Sequence, residues 1–310
     1  MPVFPKSFYT IAAGLVSARA GKRLLKTRPS PKAQGDTFAK LLASYALTTQ
    51  GRKLGISAQQ TYAQFAQHVP LQTYESLRPM IERMQQGEAN VLWPGQCPLY
   101  VRTSGVTDGN PKLLPVTEAM LQHFSQAIRT ATLLYTARVG HAGVFRGRHL
   151  FHTHSSTAIK PLPTSGKFRA YAGSLAGITR INLPAWVEKH LYEPGAAIAK
   201  ITDPRERRHA TVKRTHRRDI TVLGGNPHQL LKLARTMCRA ATRGKARPLN
   251  LQGVWPNLEC IVHGGEALGA NGPKLRHICG PDTHFHEIYS AAEGLIAAQD
   301  SANGPGLRLL

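Results

Sequence analysis

Between residues 103 and 112 the chain reads TSGVTDGNPK. Thr103, Ser104 and Thr107 supply hydroxyls, and Lys112 supplies a countercharge. Gly105 and Gly109 let the backbone turn sharply and come close to a ligand. Hydroxyls, successive free N–H groups and a lysine are what phosphate oxygens bind. Apolar runs lie on both sides, Val91–Leu92 and Pro98–Val101 before, Leu113–Val116 after. The stretch is therefore expected to be a loop between two β-type segments. It either holds a triphosphate or is an ordinary turn. It is not a Walker A loop, which needs Gly-Lys-Ser/Thr at fixed spacing at the start of a helix.

Two further groups carry chemistry. Gly264-Gly265-Glu266-Ala267-Leu268 follows the strand-like segment 258–262 (LECIV) and His263. Paired glycines there would let a flat ring lie against the backbone, or would simply turn a strand into a helix. Tyr289 precedes Glu293 by four residues at another strand end. That pair would stack a base and hold Mg²⁺, a hard ion that prefers oxygen ligands, or be a buried tyrosine and a capping glutamate. His152 and His154 share a strand face and could ligate a metal, but no third ligand lies nearby in sequence. No G-x-S-x-G elbow occurs. Cys97, Cys238, Cys260 and Cys279 form no CxxC pair, so free buried thiols in a reducing, cytoplasmic setting are expected.

The elements that must position these groups follow from periodicity. Residues 1–34 are basic with Phe8, Ile11 and Leu15 at helical spacing, read as a surface helix before the Pro29–Pro31 break; the alternative is a transit peptide. Helices are expected over 36–51, after a Ser57 N-cap, over 73–87 and over 117–139. The last has Thr117 as N-cap and Met120, Leu121, Phe124, Ile128, Leu133 and Leu134 facing inward. Residues 149–160 alternate like a strand, 161–180 read as a long loop, and 184–219 read as helical with proline breaks. Strands at 221–225, 258–262 and 283–289 alternate with helices at 228–240 and 273–278. Such alternation predicts an α/β sheet with ligands at the carboxyl ends of its strands. A mainly helical lead-in over 1–90 would precede an α/β core over 91–310.

The formal net charge is +23 over 310 residues. Asp36 is the only acid in the first 60 residues, and a second cluster of lysine and arginine fills 200–247. No aromatic residue interleaves that second cluster, so platforms for stacking single-stranded bases are missing. No helix-turn-helix or zinc-finger spacing appears. A nucleic-acid partner is not expected; a solvated basic surface that attracts an anionic substrate is. No apolar run approaches the roughly 20 residues of a membrane helix, so no membrane association is expected.

Taken together and in order, these segments resemble the auxin-responsive-promoter family of acyl-acid amido synthetases, within the adenylate-forming superfamily, and its bacterial members in particular. The resemblance covers nearly the whole chain. It rests on Val69-Pro70-Leu71 with Tyr74, Ile81-Glu82-Arg83, 87–92 (GEANVL), 103–117 (TSGVTDGNPKLLPVT), 173–178 (GSLAGI), 224–227 (GGNP), 263–268 (HGGEAL) and 289–294 (YSAAEG). It implies an adenylate-forming-enzyme N-terminal domain, with mixed sheets flanked by helices. It implies ATP and Mg²⁺, a small carboxylic acid and an amino acid as substrates, and an amide product formed through an acyl-adenylate. By the same carry-over, Thr103, Ser104, Gly105, Thr107, Gly109 and Lys112 cradle phosphates. Gly265 and Glu266 flank the adenine, Tyr289 stacks on it and Glu293 holds Mg²⁺, with Lys112 and Glu293 the catalytic pair. Three departures stand against the pattern. Val106 and Ala292 each replace a hydroxyl, and the chain ends at Leu310 before a ribose-binding aspartate and a mobile C-terminal lid. The expectation is a truncated synthetase, with a degenerate fragment that at most binds nucleotide or acid as the alternative.

Overall fold

In a computed structural model of the chain, which describes residues 5–26, 30–103, 111–153, 156–241, 250–301 and 306–310, most helices begin where the sequence supplies a side-chain cap. Helices α1 (Lys6–Val16) and α2 (Lys22–Lys26) are joined by a π-helical turn at Ser17–Gly21. Ser30 accepts from the Ala33 N–H to open α3 (Pro31–Ala46), and Thr48 accepts from the Gly51 N–H to open α4 (Thr49–Lys53). Thr61 and Gln64 form a reciprocal capping box for α5 (Tyr62–His68), and Thr73 with Ser76 does the same for α6 (Tyr74–Gln85). The expected Ser57 cap is displaced to Thr61: both have Gln three residues on, but the Ser57 hydroxyl bonds the Gln59 side chain, whereas the Thr61 hydroxyl accepts from the Gln64 N–H and completes the box.

Strands β1 (Leu99–Arg102) and β2 (Leu113–Val116) pair antiparallel, as the flanking apolar runs required. Helix α7 (Glu118–Val139) follows, with Thr117 capping the Met120 N–H. The expected strand over 149–160 is two strands in different sheets, β3 (Arg148–His152) and β4 (Ile159–Pro161). The expected loop over 161–180 contains β5 (Tyr171–Gly173) and the start of α8 (Leu175–Ile181). These short segments lack the length from which periodicity is read. Then come α9 (Ala185–His190), β6 (Tyr192–Glu193), α10 (Ala196–Ala199), α11 (Pro204–Thr215), β7 (Ile220–Gly225), α12 (Pro227–Ala240), β8 (Cys260–His263), α13 (Gly272–Cys279), β9 (His284–Ala291), β10 (Gly294–Ala298) and β11 (Arg308–Leu309).

The chain divides into two units. The smaller comprises residues 28–122 and 159–178 and holds a four-stranded sheet in the order β2-β1-β5-β4. Its core gathers Ile81, Met84, Val91, Cys97, Tyr100, Ala170 and Ala172. The larger comprises residues 1–27, 123–158 and 179–310 and holds a seven-stranded sheet in the order β11-β10-β9-β8-β7-β3-β6. Strands β9, β8, β7, β3 and β6 are parallel, while β10 and β11 are antiparallel additions. The fold class is α/β with mixed sheets flanked by helices.

Both faces of the larger sheet are covered, so its central strand β7 is buried along Ile220–Leu223, with Thr221 the one polar side chain in that run. On one face Leu230, Leu233 and Met237 of α12, Val212 of α11 and Leu275 of α13 pack on Leu150, Leu223 and Ile261. On the other, Ala131, Leu134 and Tyr135 of α7 cover Val222, Cys260, Ile288 and Ala298. The inward face of α7 differs from the expected one. Ile128 is 42% exposed, and the small Ala127 and Ala131 make the contact instead. Alanines let the helix approach the sheet closely.

Charge is also buried. Glu193 on β6 is fully buried, with Arg214 Nε at 2.6 Å, Arg148 Nη1 at 3.4 Å and Arg218 Nε at 3.9 Å. A lone carboxylate there would be costly, and three guanidinium groups offset that cost. His152, His263 and His286 are buried as well, and burial holds their imidazoles neutral, with pKa values lowered to about 4, 4 and 3. Their folded values lie below the unfolded value near 6.5. The unfolded chain therefore binds more protons, and stability is full above pH 6.5 and is lost as pH falls toward 4. Each tenfold difference in proton affinity between the folded and unfolded chain is worth about 1.4 kcal/mol. The thermal midpoint should fall steeply between pH 6.5 and 4, and His286→Phe should flatten that fall, as followed by circular dichroism across the pH series.

Candidate functional site

The ends of the 103–112 stretch are fixed by the strands that enter and leave it. The Thr103 N–H donates to the Lys112 carbonyl at 2.9 Å, and the Lys112 N–H donates back to Thr103 Oγ1 at 3.0 Å. This pair extends the β1–β2 ladder by one step and closes the neck of the loop. Tyr74, on α6, buttresses the exit: its hydroxyl accepts from the Leu113 N–H at 3.0 Å, and the Lys112 ammonium lies 5.6 Å from its ring centroid. The aromatic face holds the cation at the neck. Ser104, Gly105, Thr107 and Gly109, with Val106 and Asp108, lie outside the described residues, as does His154.

The second part belongs to the larger unit and sits at the carboxyl ends of its parallel strands. There the backbones run so close that side chains do not fit. A Cβ on Gly225 would lie 2.3 Å from the His152 carbonyl oxygen, and one on Gly264 would lie 2.4 Å from that of Ile288. Gly265 has φ +82°, a left-handed conformation that favours glycine. A strip of glycine backbone therefore lies at the ends of β7 and β8, pressed against the main chain of β3 and β9.

Two carboxylates flank the strip with different commitments. Glu266 Oε1 accepts from the His228 N–H at 3.0 Å, at the N-terminus of α12. Asn226 Oδ1 accepts from the same N–H at 3.1 Å. The helix dipole and its open N–H groups hold Glu266 in place. Glu293 lies in the two-residue turn that joins β9 to β10, where Ala291 pairs with Gly294. Its carboxylate is exposed and makes no hydrogen bond or ion pair among the described residues. Tyr289, two residues before that turn's first paired residue, is 54% exposed. Bare backbone beside an exposed ring fits a flat heteroaromatic ligand, and an uncommitted carboxylate fits a hard cation.

The structure thus brings Gly265, Glu266, Tyr289 and Glu293 to one end of one sheet. Thr103 and Lys112 are brought together at the neck of a loop in the other unit. Sequence reading missed Asn226, although its signal was present: an Asn followed by Pro after a strand's Gly-Gly is an N-cap with Pro at the first helical position. It also missed His123. Its Nε2 lies 3.3 Å from where a Cβ on Gly294 would be, beside the Glu293 turn. Among the described residues no cluster of three or more metal-ligating side chains occurs.

A family model of the GH3 family N-terminal domain matches residues 22–212. The chain belongs to the GH3 family. Jasmonoyl–L-amino acid synthetase JAR4 of Nicotiana attenuata is 25% identical to it over 158 residues, 51% of this chain and 25% of that protein. Jasmonoyl–L-amino acid synthetase GH3.3 of Oryza sativa subsp. japonica is 30% identical over 131 residues, 42% of this chain and 28% of that protein. The fold of AtGH3.15 acyl acid amido synthetase, solved in complex with 2,4-DB, covers 98% of the chain with a TM-score of 0.67 at 16% identity. The chain spans 59% of that structure. A 2-hydroxyisobutyryl-CoA ligase is similar over 87% of the chain and 52% of its own, with a TM-score of 0.52 at 15% identity. This GH3 chain shares its fold with that acyl acid amido synthetase and that CoA ligase.

Two substitutions separate geometry from charge. Gly264→Ala in the GH3 chain forces a Cβ onto a carbonyl, and should destabilise it by about 2–4 kcal/mol in urea unfolding. Glu266→Ala removes an anchored anion from a helix N-terminus and should cost about 0.5–2 kcal/mol in the same measurement.

Proposed function

We propose that this chain forms the nucleotide-binding part of an ATP-dependent acyl-acid amido synthetase, activating a small carboxylic acid as its adenylate and passing the acyl group to an amino acid. The observation that carries the proposal is the glycine strip at the carboxyl ends of β7 and β8, flanked by exposed Tyr289 and uncommitted Glu293, in a chain of the GH3 family. The names of the relatives support an amide-forming reaction, since they are jasmonoyl–amino acid synthetases and an acyl acid amido synthetase.

In the first half-reaction a carboxylate oxygen attacks the α-phosphorus of ATP and pyrophosphate departs. In the second an amine attacks the acyl carbon, AMP departs with the bridging oxygen, and the amine loses a proton. Such chemistry is served by positioning and by charges aimed at phosphoryl oxygens. In this proposal the strip at Gly264 and Gly265 seats the adenine edge, and Tyr289 covers its face. Glu266 keeps the strip in register with α12. Glu293 holds Mg²⁺, which when bound neutralises charge on phosphate oxygens. Lys112, with Thr103, Ser104, Gly105, Thr107 and Gly109, contacts the phosphates. Val106 leaves this loop one hydroxyl short, and Ala292 leaves the turn before Glu293 another short. Residues 1–90 serve as lead-in and 91–310 as the core that carries the nucleotide. The bacterial members are the branch whose motifs the chain resembles. The four free, buried cysteines support a reducing, cytoplasmic setting.

The test is acid-dependent exchange of labelled pyrophosphate into ATP across a panel of small carboxylic acids, followed by AMP release and amide formation with amino acids. Glu293→Gln should lower exchange by about 10²–10³-fold, as expected when a charge-stabilising group is removed, with circular dichroism unchanged. Tyr289→Ala should raise the KM for ATP with a smaller effect on kcat. Absence of exchange with every acid, in protein that unfolds cooperatively, would sink the proposal.

A further inference from the structure

The second basic cluster, at 200–247, reads in the sequence as a solvated surface. The tertiary structure puts much of it on one face. Helices α11, α12 and α13 lie side by side over one side of the larger sheet, their inner faces carrying Val212, Leu230, Leu233, Met237 and Leu275. Arg205, His209 and Lys213 recur every four residues on α11 and are all exposed. Four residues along a helix is about 6 Å. Lys232, Arg235 and Arg239 recur at three and four on α12 and are exposed, as is Lys274 on α13. Against them the three helices carry one acid, Glu206.

Like charges at the three- and four-residue spacing of Lys232, Arg235 and Arg239 repel and lower the stability of α12. A surface helix selected only for solubility intersperses the two signs. The face contains no large exposed hydrophobic residue among the described residues. It therefore has no wedge for a lipid surface and no aromatic or aliphatic anchor of the kind that dominates protein interfaces. A polyanion held by charge alone remains. A duplex presents one negative charge per about 1.7 Å of its axis and is bound without apolar anchors. The missing aromatics, which argue against stacking of single strands, carry no weight for a backbone contact.

We propose that the outer face of α11, α12 and α13 binds the phosphate backbone of double-stranded nucleic acid without reading its sequence. Any strongly basic protein attracts polyanions, so the test must locate the contact. Binding of a 20-base-pair duplex would be measured by fluorescence anisotropy between 50 and 300 mM salt, for the full chain and two quadruple variants. The first carries Arg205→Glu, Lys213→Glu, Lys232→Glu and Arg235→Glu. The second carries Lys40→Glu, Lys53→Glu, Arg129→Glu and Lys160→Glu, which are exposed cations elsewhere with the same change in net charge.

The first variant should lose affinity by about 10²-fold or more, and its slope of log K against log salt should be shallower by roughly three to four, since each neutralised phosphate contributes about 0.9. The second should lose less than about 5-fold with little change in slope. Acetylation footprinting of the unmodified chain gives an independent readout: duplex should protect Lys213 and Lys232 but not Lys40 or Lys53. Equal losses for the two variants, or equal protection of all four lysines, would overturn the proposal. So would tighter binding to polyglutamate or to anionic phospholipid vesicles than to the duplex, or no duplex binding at the lowest salt.

Discussion

The candidate site depends on how closely the parallel strands approach at their carboxyl ends. Gly225 lies where a Cβ would strike the His152 carbonyl, and Gly264 where it would strike the Ile288 carbonyl. Removing side chains from that edge leaves backbone as the floor. The same closeness fixes the neighbours. β8 must end at His263, the chain must turn through the left-handed Gly265, and Glu266 then reaches the first N–H groups of α12. A single steric condition thus sets the floor of the site, the turn beside it and the anchor of the next helix.

Surroundings divide the work between otherwise similar groups. Glu266 and Glu293 are both exposed carboxylates at one end of one sheet, yet one is held by a helix N-terminus and the other by nothing among the described residues. The second has both oxygens available to a cation, whereas one oxygen of the first is taken by the His228 N–H. The cations are divided in the same way. Arg148, Arg214 and Arg218 surround buried Glu193 at the edge strand β6 and hold that edge. Lys232 and Arg235 point outward from a helix layer that contains no acid on α12 or α13. Net charge treats these as equal, whereas burial and pairing separate structural cations from those that face solvent.

Local rules reached far along this chain because many elements obey them. Thr73, with its capping partner Ser76 three positions on, starts its helix where the pattern directs, while the Ser57 cap gave way to Thr61. The apolar run of β7 and the alternation of strands with helices made the α/β class legible. So did the Gly-Gly junctions at 224–225 and 264–265. What local rules did not reach were the short pieces. β5 and β6 span three and two residues, too few for a period, and they exist because a neighbouring strand offers them a ladder. The break between β3 and β4, which go to different sheets, is likewise invisible to periodicity.

The sequence by itself determined the motifs, their order and the class of fold, because these follow from residue type and spacing along the chain. It also determined that Gly264 and Gly265 would follow a strand, whereas Tyr289, read as a strand end, lies inside β9, which runs on to Ala291 and pairs with β10 before the Glu293 turn. Only the tertiary structure decided which of two carboxylates is already engaged, that Lys112 rests against Tyr74, and that cations scattered over 205–239 share one outward face. Those outcomes turn on distances between segments far apart in sequence. No residue carries that information until the sheet has set its helices side by side.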